Sequence, residues 1–187
     1  MLIAIVVLVA VFLVFVLYAC YVGVVKARNQ MDEALSGIDV QLKKRSDLIP
    51  NVLQIAQKFM THEKEIFTEI TELRTEVMKQ PVGTVERFVA ESKLQAAMKQ
   101  FVVSVENYPQ LKSDETMLKA MDTYKDVEDN IAASRRFYNT ALRELKNKTQ
   151  IFPGSLFAKC AGDISEYAYF QASDEDKNNI NADDYLK

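Results

Sequence analysis

Between Leu2 and Val25 the chain carries no charged residue, and this run constrains the fold more than any other feature. Twenty-four residues at ~1.5 Å each give ~36 Å of helix, enough to cross a ~30 Å hydrocarbon core with some tilt. Tyr18 and Tyr21 stand near the C-terminal end of the run, where an interfacial aromatic belt belongs. A cleaved signal peptide is the plain alternative. The run is long for one, lacks a basic leader, and offers no small-x-small cleavage site before Lys26. A lipoprotein signal is a second alternative, because Leu17-Tyr18-Ala19-Cys20 resembles a lipobox. Tyr18 suits such a site poorly and the chain stays apolar through Val25, so Cys20 reads as a membrane-buried thiol. The sequence therefore predicts a single-pass transmembrane anchor over residues 1–25. Lys26 and Arg28 follow the span, with Lys43, Lys44 and Arg45 beyond, and the positive-inside rule then puts the following domain on the cytoplasmic side of the membrane.

Residues 26–172 are enough for one buried core, and their pattern is helical. From Leu35 the apolar positions step by three and four: Leu35, Ile38, Leu42, Arg45, Ile49, Val52, Ala56, Phe59, Glu63, Ile66, Ile70, Leu73, Val77. The phase is unchanged across Pro50. This predicts one long helix kinked near Pro50, the alternative being a true break with a new cap at Ser46 or Asp47. Pro81 and Gly83 end it. Thr84 is placed to cap a second helix running to about Asn107, with Leu94, Met98, Phe101, Val105 and Tyr108 on its stripe. Ser113 or Asp114 can cap a third, running to about Gln150 on Met117, Met121, Tyr124, Glu128, Ile131, Arg135, Tyr138, Leu142 and Leu145. Pro153-Gly154 forms a turn, Ser155 can cap a short fourth helix to Ala161, and helix can resume from Ile164 to Phe170. The tail, residues 173–187, has five acidic residues in fifteen and reads as mobile. The expected fold class is all-α: an N-terminal transmembrane helix followed by an antiparallel bundle of three long helices plus a shorter fourth.

Residue types exclude most chemistry. The lone histidine, His62, precedes Glu63, but position 66 is Ile, so H-E-x-x-H is incomplete. Two Glu-x-x-His pairs, as a di-iron bundle needs, cannot be drawn from one histidine. There is no Walker loop, G-x-G-x-x-G or G-x-S-x-G, and no acid/base pair stands out. No enzymatic activity, metal, cofactor or small-molecule substrate is expected. The net charge of −3 weighs against nucleic acid. Cys20 and Cys160 are far apart in sequence, and nothing points to a disulfide between them.

Four charged residues, Arg45, Glu63, Glu128 and Arg135, fall on the apolar stripes. Helical drift could carry them to the edge of the stripe, where they would reach water. Alternatively some pair across helices and fix register. In one continuous helix Arg45 and Glu63 lie ~27 Å apart, so neither can be the other's partner.

The string Ile38-Asp39-Val40-Gln41-Leu42-Lys43-Lys44-Arg45-Ser46-Asp47-Leu48-Ile49-Pro50-Asn51, followed by His62-Glu63, closely resembles the LemA family of bacterial membrane proteins. Asn107-Tyr108-Pro109-Gln110-Leu111-Lys112, Ile131-Ala132-Ala133-Ser134-Arg135-Arg136-Phe137-Tyr138-Asn139, Phe152-Pro153 and Ala158 extend the resemblance over roughly residues 25–170. It departs at Leu35 and Gly37, where the family usually has Trp and Gln, at Gly162-Asp163, and in the polar tail. The resemblance implies a single-pass protein of the bacterial cytoplasmic membrane with a helical bundle and no enzymatic role. One branch of the family serves in forming magnetosome membranes. The expected function is a membrane-anchored scaffold or adaptor, with the bilayer and other membrane proteins or further copies of itself as partners. A self-assembling membrane-organising protein is the alternative. Candidate interaction or structural positions are Gln41, Lys44, Arg45, Asp47, Pro50, Asn51, Arg135, Arg136, Tyr138 and Asn139, any of which could equally serve local hydrogen bonding or capping.

Overall fold

The computed structural model describes residues 1–81, 84–164 and 167–170. Gly83 and the predicted mobile tail lie outside them. The chain is all-helical in its regular structure: α1 (Leu2–Ala56), α2 (Lys64–Lys79), α3 (Val85–Val105), the single turn α4 (Pro109–Lys112), α5 (Glu115–Gln150) and a 3₁₀ segment (Gly154–Ala161). The long apolar N-terminal helix and the packed helices after it are as expected.

Two compact units divide the chain. One is built from Met1–Arg28 with the segment from Asn139 onward, the other from Asn29–Tyr138. Helices α1 and α5 contribute to both.

In the unit Asn29–Tyr138, α1 continues through Pro50, so the proline neither ends the helix nor starts a new one. The expected single helix to Val77 is nevertheless wrong, because α1 ends at Ala56. The amides of Phe59 and Met60 both turn back to the Ala56 carbonyl, and helix restarts only at Lys64. The intervening stretch, residues 57–63, is seven residues long. One whole heptad of non-helical chain leaves the count of apolar positions in phase, so the periodicity cannot register the break. Arg74 Nε donates to the Ser46 carbonyl at 2.7 Å. In a straight helix these residues would lie ~42 Å apart, so α2 folds back along α1.

Helix α3 starts where Thr84 predicts, its hydroxyl accepting from the Arg87 amide at 3.2 Å. Asp114 Oδ1 accepts from the Met117 amide at 2.9 Å and caps α5. Ile49, Val52, Met60, Ile70, Leu94, Met98, Phe101, Leu111 and Met117 are all nearly inaccessible and form one apolar cluster. Each such side chain contributes ~1.5–3 kcal/mol when fully buried. Helices α1, α2, α3 and α5 thus make this bundle, with Leu111 of the single turn α4 in its core.

In the other unit Val24, Ala27, Leu142, Leu145 and Ala161 are buried. The segment 154–161 is 3₁₀ rather than α-helix, and Ser155 does not cap it: Pro153 precedes its first residue with no side-chain cap. A Cβ on Gly154 would lie 2.1 Å from the Lys148 carbonyl oxygen, so only glycine lets this turn close on α5. Gly162 follows at φ 70°, a left-handed conformation that stops the 3₁₀ segment. The expected helix from Ile164 to Phe170 is not found among its described residues. Side chains of α5 engage that backbone instead. Asn139 takes both groups of Phe170, its Nδ2 donating to the carbonyl at 2.8 Å and its Oδ1 accepting from the amide at 2.9 Å. Lys146 Nζ donates to the Tyr167 carbonyl at 3.3 Å.

Candidate functional site, a buried ionic seam

The heptad stripe of α1 carries Arg45 inward between Leu42 and Ile49, and it is the largest fully buried side chain among the described residues, with 0% exposure. A guanidinium cannot be left bare in such a place. Arg45 Nη2 donates to Glu91 Oε2 on α3, and Nη1 donates to Glu128 Oε1 on α5 at 3.0 Å. Glu91 is itself 2% exposed. Its second oxygen accepts from Arg87 Nε at 2.9 Å, and Arg87 Nη1 reaches on to the carbonyls of Val77 (2.7 Å) and Gln80 (3.0 Å) at the end of α2. One chain of charged groups therefore ties α1, α3, α5 and the C-terminus of α2 together.

Charge and burial shift the ionisations of this seam. Burial works against the charge on Arg45, but the carboxylates of Glu128 and Glu91 outweigh it and hold the pKa above its ordinary value. Arg135 goes the other way: its own burial, then the nearby Arg45 cation, lower it, while Glu128 and Glu91 partly compensate. Its guanidinium also lies 6.0 Å from the centre of the Phe88 ring. The phenol of Tyr124 is pushed far up, first by burial and then by the Glu128 carboxylate that it bonds, so it stays neutral.

Pro50 belongs to the same construction. Lacking an amide hydrogen, it cannot donate to the carbonyl four residues back, that of Ser46. Arg74 Nε fills the vacancy at 2.7 Å. The proline thus opens an acceptor on the buried side of α1, and an arginine from α2 closes it.

The candidate positions do not converge on one site. Arg45, Arg135 and Pro50 join in or beside the seam, and Tyr138 is core at 2% exposure. Gln41 is half-buried, with an Oε1 that meets no donor. Lys44, Asp47, Asn51 and Arg136 are exposed, and Asp47 pairs only with its neighbour Lys43 at 2.6 Å. Asn139 is not brought to the seam: it falls in the other unit and holds Phe170. Of the stripe charges, Arg45 and Glu128 pair across helices, in keeping with the pairing alternative. Glu63 accepts from the Tyr108 hydroxyl at 3.2 Å and takes no part in the seam.

Three members, Arg74, Arg87 and Glu91, were not foreseen. Two were accessible: counting back seven from Met98 and Leu94 on the α3 stripe gives Glu91 and Arg87. Arg74 stands four after Ile70 and three before Val77, beside the stripe, and only the reversal of α2 reveals its partner. Among the described residues no three of His, Cys, Asp or Glu gather as metal ligands, and Cys20 and Cys160 are both free. What the arrangement can do chemically is hold charges fixed, out of water, at the centre of four helical segments.

The family model described as "LemA family" matches residues 34–183, four-fifths of the chain. The chain belongs to the LemA family. A similar protein is Protein LemA of Metamycoplasma hominis, 24% identical over 163 residues that cover 85% of this chain and 74% of that one. The matched region includes every residue of the ionic seam, so the buried Arg45 and its partners lie within the LemA segment itself. The apolar run Leu2–Val25 lies before it. As part of α1 it is long and apolar enough to cross a membrane, none of its most apolar stretch is buried, and it suggests membrane anchoring.

Proposed function

We propose that this LemA-family protein is a non-enzymatic, membrane-tethered scaffold that presents a register-locked helical bundle to other membrane proteins or to further copies of itself. The observation that carries this reading is the Arg45–Glu91–Glu128 seam. A buried ion network adds little net stability compared with apolar packing, but it penalises every misregistered arrangement. Such a device suits a bundle whose surface must keep one shape. The surface offered to a partner is the exposed polar line Lys44, Asp47 and Asn51, spaced three and four apart on one face of α1. With Lys26 and Arg28 after the span, the bundle belongs on the cytoplasmic side.

Crosslinking in intact cell membranes tests the scaffold reading. One or two defined membrane proteins, captured repeatedly and lost on substituting Lys44, Asp47 and Asn51 together, are expected. A ladder of this chain alone supports a self-assembling, membrane-organising role instead. Digestion of the bundle by protease added only outside the cell would reverse the orientation.

A further inference from the structure

Three large apolar side chains, Ile151, Phe152 and Leu156, stand 63%, 75% and 62% exposed within six residues after the end of α5. Water disfavours such a cluster, and a patch of this kind marks a contact. Phe157, the next residue, packs its ring edge-on against Tyr21 of the apolar run, with centroids 5.8 Å apart. That contact fixes the depth of the loop. Val24 is already buried by protein, and Cys20, Val22 and Gly23 are half-covered. The length of the run left open to lipid is therefore Leu2–Ala19, eighteen residues or ~27 Å, close to the ~30 Å of a hydrocarbon core. The hydrocarbon boundary falls beside Tyr18 and Tyr21, at the level of Phe157 and its neighbours. The Gly154 contact with the Lys148 carbonyl and the Arg28 hydrogen bond to the Ala161 carbonyl at 2.9 Å hold the two ends of the loop in place. Exposed Lys159, on the same segment, suits the headgroup layer.

We infer that Ile151, Phe152 and Leu156 insert into the interface of the bilayer that the N-terminal helix spans, giving the protein a second membrane contact. The occupant of the patch is lipid. The continuous line from the span through Tyr21 to Phe157 places it there, and the inference rests on the anchor. The second contact would fix the rotation of the unit built from Met1–Arg28 and Asn139–Phe170 about the span, which a single helix leaves free.

The chain has no tryptophan, so one introduced residue is the sole indole emitter. Phe152→Trp and Leu156→Trp, each in the full chain reconstituted into vesicles with brominated acyl chains, read the depth of the loop. Phe12→Trp reads the span. Expected are blue-shifted emission for both loop positions, with about half the intensity lost to bromines at shallow acyl carbons and little to deep ones, and deep quenching for Phe12→Trp. Water-like, unquenched emission at both loop positions beside a deeply quenched Phe12→Trp overturns the loop contact and leaves the anchor. Blue-shifted but unquenched loop emission assigns the patch to protein, a second copy or the chain's own C-terminal segment, and also overturns it. An unquenched Phe12→Trp removes the anchor and the loop contact together.

Discussion

The unit Asn29–Tyr138 buries a few charged groups at its centre, whereas the unit made of Met1–Arg28 and the segment from Asn139 leaves many large apolar groups exposed. The first surrounds Arg45 with Glu91, Glu128 and apolar side chains from four helical segments. The second leaves most of Leu2–Tyr18, Ile151, Phe152 and Leu156 exposed. Two of its cations lie by aromatic rings, Arg28 5.1 Å from the centre of Tyr167 and Lys146 4.7 Å from that of Tyr169, as Arg135 lies by Phe88 in the first unit. The contrast teaches that burial follows ion pairing in one unit and is withheld from large apolar side chains in the other. A buried ion left without a counter-charge is costly, and Arg45 meets two carboxylates through its terminal nitrogens while its Nε finds no partner. Under the proposed membrane anchoring, exposed apolar surface carries no such penalty.

The comparison breaks most easily at Arg45. Arg45→Met leaves the Glu128 carboxylate without its cation and Glu91 with Arg87 alone, and the expected loss is ~3–5 kcal/mol. Denaturant unfolding of the full chain in detergent reads the loss. Hydrogen exchange assigns it, with faster exchange expected in α2, α3 and the N-terminal half of α5. The triple change Arg45→Met, Glu91→Leu, Glu128→Leu should recover most of that loss. If Arg45→Met unfolds like the parent, the seam is not what holds register.

The second unit has its own weak point at Gly154. Any Cβ there collides with a backbone carbonyl rather than with a movable side chain. Gly154→Ala should cost ~1–3 kcal/mol, as overpacking does. Faster exchange should be confined to residues 151–161, with α2 and α3 unaffected. Equal loosening of both units would show that they are one cooperative body.

The Pro50–Arg74 exchange can be separated by a double mutant. Arg74→Leu strands the Ser46 carbonyl, at a cost of ~1–3 kcal/mol for a buried acceptor without a donor. Pro50→Ala restores the helical amide four residues on, so adding it to Arg74→Leu should return part of the loss. Strict additivity of the two changes, measured by chemical unfolding, would refute the exchange.

These tests also mark where the sequence was legible. The stripe on α1 was correct through Ala56 because every third or fourth position is apolar or, at Arg45, internally paired. The break at 57–63 was invisible because its length equals the repeat. Helix after Gly162 was predicted from local pattern, yet Asn139, more than thirty residues away, takes both backbone groups of Phe170, and a local reading cannot contain that competition. Glu91 and Arg87 are legible in the α3 register, which turns apolar at Leu94 but extends back through both charges.

A smaller effect is expected at alkaline pH. Burial and Glu128 raise the Tyr124 phenol in the folded protein. A group raised on folding gives its full stabilisation below its unfolded pKa, ~10 for a tyrosine, and loses it as pH climbs beyond. Tyr124→Phe should therefore flatten the alkaline fall in stability by up to ~1.4 kcal/mol per pH unit. Titrating the unfolding free energy from neutrality to high pH checks this, and an unchanged slope would place Tyr124 outside the seam.

The smallest effect sharpens the comparison most. Lys44, Asp47 and Asn51 lie on the same helix as Arg45 but face outward, and the Lys43–Asp47 pair has both side chains more than half exposed. Exposed pairs of this kind contribute ~0–1 kcal/mol. Replacing all three by alanine should leave thermal unfolding nearly unchanged. If their part in the family-like string were structural, the triple variant would melt early. If it unfolds like the parent but loses its crosslinked partners in cell membranes, then within Gln41–Asn51 the inward residues build the bundle and the outward residues address it to something else.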